Sequence, residues 1–275
     1  MIEVLVAGAA TTVQDLGRPG YGALGVPRSG ALDLPAHRLA NRLVGNDPAA
    51  ATLEVVLGGL AVRARDAVTV ALTGAVCPAS VDGRPVDPYA PLTLRAGATL
   101  GLGRPDRGLR TYVGVRGGVD VPLVLGSRST DTLSGLGRAP LRAGDVLPVG
   151  AAVVGLPAGE AVAPPSPRPA VVRVATGPRA DWVPGGLAER AYVVSDRADR
   201  VGIRLTGPPL PRRPGELASE GLLPGAVQVP PDGLPVVFLA DAPVTGGYPV
   251  VAVVLPDDLP VLAQLRPGDA LGFRA

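Results

Sequence analysis

No lysine occurs anywhere in this chain of 275 residues, so all 26 of its basic residues are arginines. That absence removes Schiff-base chemistry, a biotinylated side chain, and any phosphate loop of the Gly-x-x-x-x-Gly-Lys type. Cysteine and histidine each occur once, as Cys77 and His37. One cysteine excludes an intrachain disulfide and a cysteine zinc cluster, and one histidine excludes multi-histidine metal sites. The scattered carboxylates match no metal loop, so no metal is expected. Aromatic residues make up only 3%, which leaves few rings for stacking nucleic-acid bases. The arginines are scattered and the net charge is +2, so a pI of about 9.0 does not signal a nucleic-acid partner. No apolar run approaches the length of a bilayer span, and residues 1–10 lack a basic leader or cleavage site. A soluble, cytoplasmic protein without a membrane partner is expected.

Hydrophobic residues reach 47%, and with so few rings the core must be built from Val, Leu and Ala. These side chains suit strands and close backbone packing. The 38 glycines and 32 prolines prevent helices from dominating. Short apolar runs recur at 53–57, 67–72, 92–94, 111–115, 171–175, 192–194, 236–240 and 250–255. Turn signals separate them, and that spacing predicts an all-β barrel or sandwich. One helix is predicted over Leu34–Val44, with Asp33 as N-cap, Pro35 in the first turn and Gly45 at the C-terminal end. Ala36, Leu39, Ala40, Leu43 and Val44 share its apolar face, while His37 has a structural or surface role. A weaker helix is predicted near Asp257–Leu265. Cys77 ends an apolar strand and reads as a small core residue.

Residues 157–169 are rich in proline and read as a stiff linker. They divide the chain into an N-terminal barrel-like subdomain with one helix, 1–156, and a C-terminal barrel-like subdomain, 170–275. Internal echoes support related halves. Leu-Arg-x-Gly occurs at 94–97, 141–144 and 265–268, and Val-Asp-Gly-Arg-Pro-Val at 81–86 resembles Pro-Asp-Gly-Leu-Pro-Val at 231–236.

Two stretches carry most of the candidate chemistry. In Thr12–Arg18, Gln14, Asp15 and Arg18 surround Gly17 in a segment that reads as turn. Asp15 can accept a proton or orient a substrate N–H, and Arg18 can grip a carboxylate; equally, the two can pair and pin the turn. In Thr245–Tyr248, the pair Gly246-Gly247 is expected to reach positive φ and point backbone N–H groups at an oxyanion or phosphate. Asp241, a few residues earlier, and Tyr248 are placed to bracket one small polar ligand, or Asp241 simply caps the turn. Gln228 puts an amide in an otherwise apolar strand, so it must bond backbone or a ligand amide. Arg128 and Ser129 lie in a hydroxyl-rich turn, 126–131, that suits a carboxylate or phosphate. The N-terminus of the first helix, with Arg28 and Ser29 nearby, is a further anion candidate. No nucleophile–base dyad is available to His37.

In their order, the stretches TTVQDLGRPGYGALGVPRSGALD, ANRLVGNDPAAATLE, VGVRGGVDVPLVLGSRSTD, DRVGIRL, SEGLLPGAVQVPPDGLPVVFLAD, TGGYPVVAVV and AQLRPGD resemble the KipA family. That family is also called allophanate hydrolase subunit 2 or the biotin-dependent carboxyltransferase family, and the likeness is greatest to members that serve as the C component of 5-oxoprolinase. It runs from Thr11 to Asp269. The resemblance implies two cyclophilin-like β-barrel subdomains. It implies a non-autonomous subunit of an ATP-dependent 5-oxoprolinase, which opens 5-oxoproline to glutamate together with a KipI-like and a LamB/YcsF-like subunit. Two other roles occur among relatives: a non-catalytic antagonist of a KipI-like histidine-kinase inhibitor, and the carboxyltransferase component of a biotin-dependent urea or amide carboxylase. No biotin can be attached to this lysine-free chain, and ATP would be held atypically or jointly with a partner.

Under the 5-oxoproline reading, Arg18 or Arg128 would bind the substrate carboxylate, and Gln228 or Asp241 the ring amide. Gln14, Ser129, Thr245, Gly246, Gly247 and Tyr248 would complete the substrate site, with Asp15 and Asp241 as the catalytic carboxylates. This chain departs from the family pattern beside Gly246-Gly247, where Ala242 and Val250 stand in place of basic residues.

Overall fold

The computed structural model describes residues 1–166, 169–188 and 190–275; Pro167 and Arg168 of the expected linker lie outside the described residues. Strand accounts for 33% of the chain and helix for 9%, so the protein is mainly β. Two compact units partition it, and neither is contiguous in sequence. One comprises Met1–Arg18, Asp33–Thr130 and Gly135–Ser166; the other comprises Pro19–Leu32, Asp131–Ser134 and Pro167–Ala275.

The first unit contains two sheets. The six-stranded sheet runs in the order Val146–Leu147, Ile2–Ala7, Leu60–Ala64, Thr99–Leu102, Ala79–Val81 and Arg84–Val86. The five-stranded sheet runs Ala10–Gln14, Thr52–Val56, Arg110–Val115, Val68–Gly74 and Pro91–Leu94. Every pairing is antiparallel, and alternate residues such as Val4, Val62, Leu53, Leu72, Leu100 and Val113 enter one aliphatic core. Cys77 belongs to that core, as a small apolar residue would. Ala10–Gln14 is a true strand rather than a turn, paired in register from Ala10↔Val56 to Gln14↔Thr52. Its neighbour strand decides this, because Thr11, Thr12 and Val13 all fit a buried pleated surface.

The predicted helix forms over Leu34–Leu43. Asp33 caps it by accepting from the Ala36 N–H at 3.0 Å, Pro35 sits in the first turn, and Val44 ends it. Because the Asp33 carboxylate already occupies the N-terminus, that end is not an open anion site. The helix packs on the strands Arg110–Val115 and Val68–Gly74. Gly114 permits this approach: a Cβ there would lie 2.7 Å from the Ala40 carbonyl oxygen. The buried helix face also carries His37 and Asn41, which the apolar pattern did not include. His37 is fully buried, with Nδ1 2.9 Å from Thr52 Oγ1 and Nε2 3.2 Å from the Pro48 carbonyl. Nearby, the Tyr112 hydroxyl donates to Glu54 at 2.6 Å, and Arg110 Nε lies 3.3 Å from the other Glu54 oxygen. That spacing makes an ion pair without the alignment of a hydrogen bond.

The second unit closes a seven-stranded barrel: Val171–Thr176, Val250–Val254, Ala226–Gln228, Val236–Phe238, Gly202–Thr206, Tyr192–Val194 and Ala270–Arg274. Among the described residues, closure comes with one parallel pairing, Val171↔Gly272 to Arg173↔Arg274. Valines and leucines fill the interior, with Tyr192 and Phe273 meeting edge to face at 6.0 Å. The second predicted helix is the short Leu259–Ala263, with Pro260 in its first turn.

The sequence echoes are turns. Arg95–Ala98, Arg142–Asp145 and Arg266–Asp269 each close with an N–H to carbonyl bond of 3.0–3.1 Å around a glycine at positive φ. The other echo is not equivalent. Asp82 and Gly83 both take positive φ, as a two-residue hairpin demands, whereas at 232–233 only Gly233 does.

This packing sets two expectations for stability. Gly114→Ala forces the helix off its strand and is expected to cost about 2–3 kcal/mol in urea unfolding. Gly22→Ala, in open space without positive φ, serves as the control and should change stability by less than about 0.5 kcal/mol. His37 supplies the second. Burial pushes its pKa down to about 4 from 6.5, against the opposing pull of Asp15, the Pro48 carbonyl and Glu54. The unfolded chain therefore binds a proton that the fold rejects, so stability should fall as pH drops from 6.5 towards 4. The total is about 3 kcal/mol, and His37→Asn should flatten that slope in denaturation midpoints measured across the window.

Candidate functional site

Five of the expected site residues come together in the first unit. The Gln14 strand runs beside the segment 127–130, with the Thr130 N–H donating to the Val13 carbonyl at 2.9 Å. Asp15 follows directly and faces the hydroxyl-rich turn. Its carboxylate accepts from Ser127 Oγ at 2.6 Å, Ser129 Oγ at 2.5 Å, the Arg128 N–H at 2.6 Å and the Gly17 N–H at 2.8 Å. Four donors leave this carboxylate committed as the fastener of the 127–129 turn. Arg128 contributes its backbone to that arrangement, while its guanidinium turns away to Asp120.

Arg18 does not pair with Asp15. Its Nη2 donates to the Ser129 carbonyl and its Nε to the Val124 carbonyl at 3.4 Å; Nη1 has no partner among the described residues. The side chain is 1% exposed, yet it forms no ion pair among the described residues. Gln14, 0% exposed, spends both N–H bonds of its amide, on Thr12 Oγ1 at 3.1 Å and the Thr130 carbonyl at 2.9 Å. Its Oε1 likewise has no partner among the described residues. Both side chains are thus anchored on adjacent carbonyls, 129 and 130, and each retains one unused buried atom. Such atoms are costly to leave unmatched and are infrequent in folded proteins.

The second unit holds the other expected residues in two separate arrangements. Asp241 is fully buried and accepts five hydrogen bonds. Ser29 Oγ and Arg200 Nη2 reach Oδ1 at 2.7 and 3.0 Å, while the Thr132 N–H, Thr132 Oγ1 and Arg200 Nε reach Oδ2 at 2.9, 2.8 and 2.9 Å. Burial alone would raise the Asp241 carboxyl, but the Arg200 charge and these bonds outweigh it and hold the pKa below the ordinary value. Arg200 also donates to the Gly30 carbonyl at 2.7 Å. Asp241 is therefore an ionised tie-point between chain segments, and it does not bracket a ligand with Tyr248. Ser29 belongs to this tie rather than to a helix-end anion site. Arg200 and Thr132 were missed among the candidates; Arg200 lies in the DRVGIRL stretch, whereas nothing in the sequence marks Thr132.

Gly246-Gly247 does not form an anion cradle either. Neither glycine takes positive φ, and Thr245–Gly246 is a short strand paired with Glu220–Gly221. Gly246 is needed for a different reason: a Cβ there would lie 2.8 Å from Gln228 Nε2. That buried amide donates to the Tyr248 carbonyl at 2.9 Å, satisfying the backbone as one of its two expected readings required. The Tyr248 ring is half-exposed, and Arg179 clamps Glu220 beside the strand pair through two guanidinium nitrogens. With a strand where a phosphate loop would stand, the residues of this stretch do not fit a nucleotide triphosphate.

The Asp241–Arg200 tie yields a prediction. Arg200→Met leaves a buried, unpaired carboxylate and should cost about 3–5 kcal/mol. Adding Asp241→Leu removes that stranded charge, so the double variant should unfold at a higher denaturant concentration than Arg200→Met alone. Equilibrium unfolding of all four species closes the cycle.

Residues 24–275 match the family model described as carboxyltransferase domain, subdomain A and B. An Escherichia coli (strain K12) protein, named as the C component of 5-oxoprolinase, is 39% identical, the match covering 99% of this chain and 90% of that one. Urea amidolyase from Saccharomyces cerevisiae is 33% identical over 99% of this chain, but over only 16% of its own length. Among solved structures, that of TTHA0988 superposes with a TM-score of 0.91 at 40% identity; this chain covers all of its own length and 56% of that protein, so it spans about half of it. No helix among the described residues is long and apolar enough to cross a membrane. On this agreement of sequence and fold, the chain belongs to the carboxyltransferase-domain family of subdomains A and B.

Proposed function

We propose that this chain is the C component of an ATP-dependent 5-oxoprolinase, working with a KipI-like and a LamB/YcsF-like subunit to open 5-oxoproline to L-glutamate. The observation that carries this reading is reciprocal coverage. The match to the Escherichia coli 5-oxoprolinase component spans nearly all of both chains, whereas urea amidolyase contains this length as a small part of a much larger protein. In the reaction water adds across the lactam C–N bond, giving the amine and carboxylate of glutamate, coupled to ATP hydrolysis. The residues of this chain supply binding and orientation. The Gln14–Arg18 cluster offers unused buried polar atoms for an amide substrate, and Asp15 fastens the turn above them. The residues around Gly246 do not fit ATP, and its binding is assigned to a partner or to a surface shared with one.

A second reading has its own support in the family model and in the urea amidolyase relatives: transfer of a carboxyl group from a biotin carried by another chain. The test is reconstitution. Purified with its KipI-like and LamB-like neighbours, this chain should be required for glutamate release from 5-oxoproline and ATP, and omission of any one of the three proteins should abolish it. Glutamate formed equally well without this chain would exclude the assignment. A stable complex that forms no glutamate would favour a kinase-inhibitor antagonist, and carboxyl transfer to urea from biotin carrier would favour the second reading.

A further inference from the structure

We infer that Gln14 and Arg18 together recognise the cis-amide edge of the substrate, with the carbonyl oxygen accepting from Arg18 Nη1 and the amide N–H donating to Gln14 Oε1. This rests on the reading that the chain handles a small amide. The Gln14 amide has one orientation that its neighbours allow. Its Nε2 donates to the Thr130 carbonyl, so a flipped amide would set oxygen against oxygen, and Oε1 must be the unused atom. Arg18 spends Nη2 on the next carbonyl, that of Ser129, and keeps Nη1 as an unused donor. One donor and one acceptor, fixed on neighbouring carbonyls, call for a group with an acceptor beside a donor.

That requirement discriminates among ligands. A carboxylate satisfies Arg18 but sets an acceptor against Gln14 Oε1. A trans peptide carries its C=O and N–H on opposite edges and cannot reach both. A five-membered lactam or urea carries them side by side. Arg18 is therefore assigned to the lactam carbonyl rather than to the substrate carboxylate. The polarised guanidinium also favours negative charge developing on that oxygen when the C–N bond is attacked.

The pair is closed in this structure, and the cover is identifiable. Val124 and Ser127 bridge a tight turn whose tip, Leu125-Gly126, lies at φ 52° and 77°. Leu123 and Leu125 are exposed on it. Arg18 bonds the carbonyls of Val124 and Ser129, and Asp15 holds Ser127 and Arg128. Access to the guanidinium therefore requires the tip at 124–126 to shift while the Ser129 carbonyl keeps its bond to Nη2.

The test is calorimetric titration of the full chain with 5-oxoproline, N-methyl-5-oxoproline and urea. The N-methyl compound keeps the carbonyl and the carboxylate but loses the N–H, so it should bind about tenfold or more weakly. Gln14→Met should erase that discrimination, while Arg18→Met should weaken both lactams together; unfolding curves confirm that each variant is folded. The comparison of the two lactams on the unaltered chain stands even if a variant fails to fold. Equal affinity for both, or no binding of either lactam or urea, would overturn the inference and leave the two atoms bridged by a buried water. Binding of urea alone, with the same dependence on Gln14, would uphold the amide-edge site and remove the 5-oxoprolinase reading.

Discussion

A buried carboxylate must be surrounded by donors, and in the second unit that requirement at Asp241 gathers segments far apart in sequence. Ser29, Gly30 and Thr132 come from excursions of the N-terminal half, yet each bonds to Asp241 or to the Arg200 that pairs with it. Without donors, the charge would cost several kcal/mol to bury. With five of them it stays ionised, and the excursions 19–32 and 131–134 acquire a fixed anchor in the same unit. Asp15 obeys the same rule in the first unit, where it draws Ser127, Arg128 and Ser129 onto the end of a strand. The two carboxylates read as catalytic from sequence are, in the folded chain, the residues that set the geometry of its polar loops.

An all-arginine chain gives these loops a second kind of fastener. The guanidinium is a planar fork of five donors, so one side chain can hold two carbonyls at once, which a lysine ammonium does with less directional control. Arg116 donates to the carbonyls of Val44 and Gly155 at 2.7 and 2.9 Å, and Arg18 to those of Val124 and Ser129. Arg200 adds Gly30 to its carboxylate partner. With only 3% aromatic residues, the aliphatic cores carry few large rings to wedge loops in place. Directional bonds to main-chain oxygen supply part of that function.

What the sequence revealed, and what it hid, follow the same division between local and distant causes. The valine-rich runs appear as strands because β-branched side chains and flanking turns are local properties; the helix appears because Asp33, Pro35 and Gly45 are local signals. The Leu-Arg-x-Gly echoes are legible as turns for the same reason. Within the expected turn at 12–18, residues 12–14 are strand instead, because their strand character comes from the partner 52–56, some forty residues away. Gly246 invites a reading in terms of positive φ, yet the actual constraint is the volume of the Gln228 amide from another strand. Gln14, Asp15 and Arg18 are legible as a group because they are sequence neighbours. Which of their atoms remain unused depends on residues 124–130, and composition carries no trace of that.

Among the described residues three arginines are almost wholly buried, and their partners separate structural burial from a different kind. Arg110 lies against Glu54, and Arg200 against Asp241, so each has its opposite charge in reach. Arg18 is at least as buried and has, among the described residues, only carbonyl dipoles. Dipoles solvate a cation incompletely, and an unmatched N–H adds the cost of a missing bond. A fold selected for stability alone would place a carboxylate there or an apolar side chain, as the aliphatic surroundings elsewhere in the unit permit. Asp15, three residues away, is instead turned to the serine hydroxyls. The local rule is broken at Arg18 Nη1 and Gln14 Oε1 while the Asp15 carboxylate between them in sequence is fully satisfied, which is the pattern expected where stability gives way to binding.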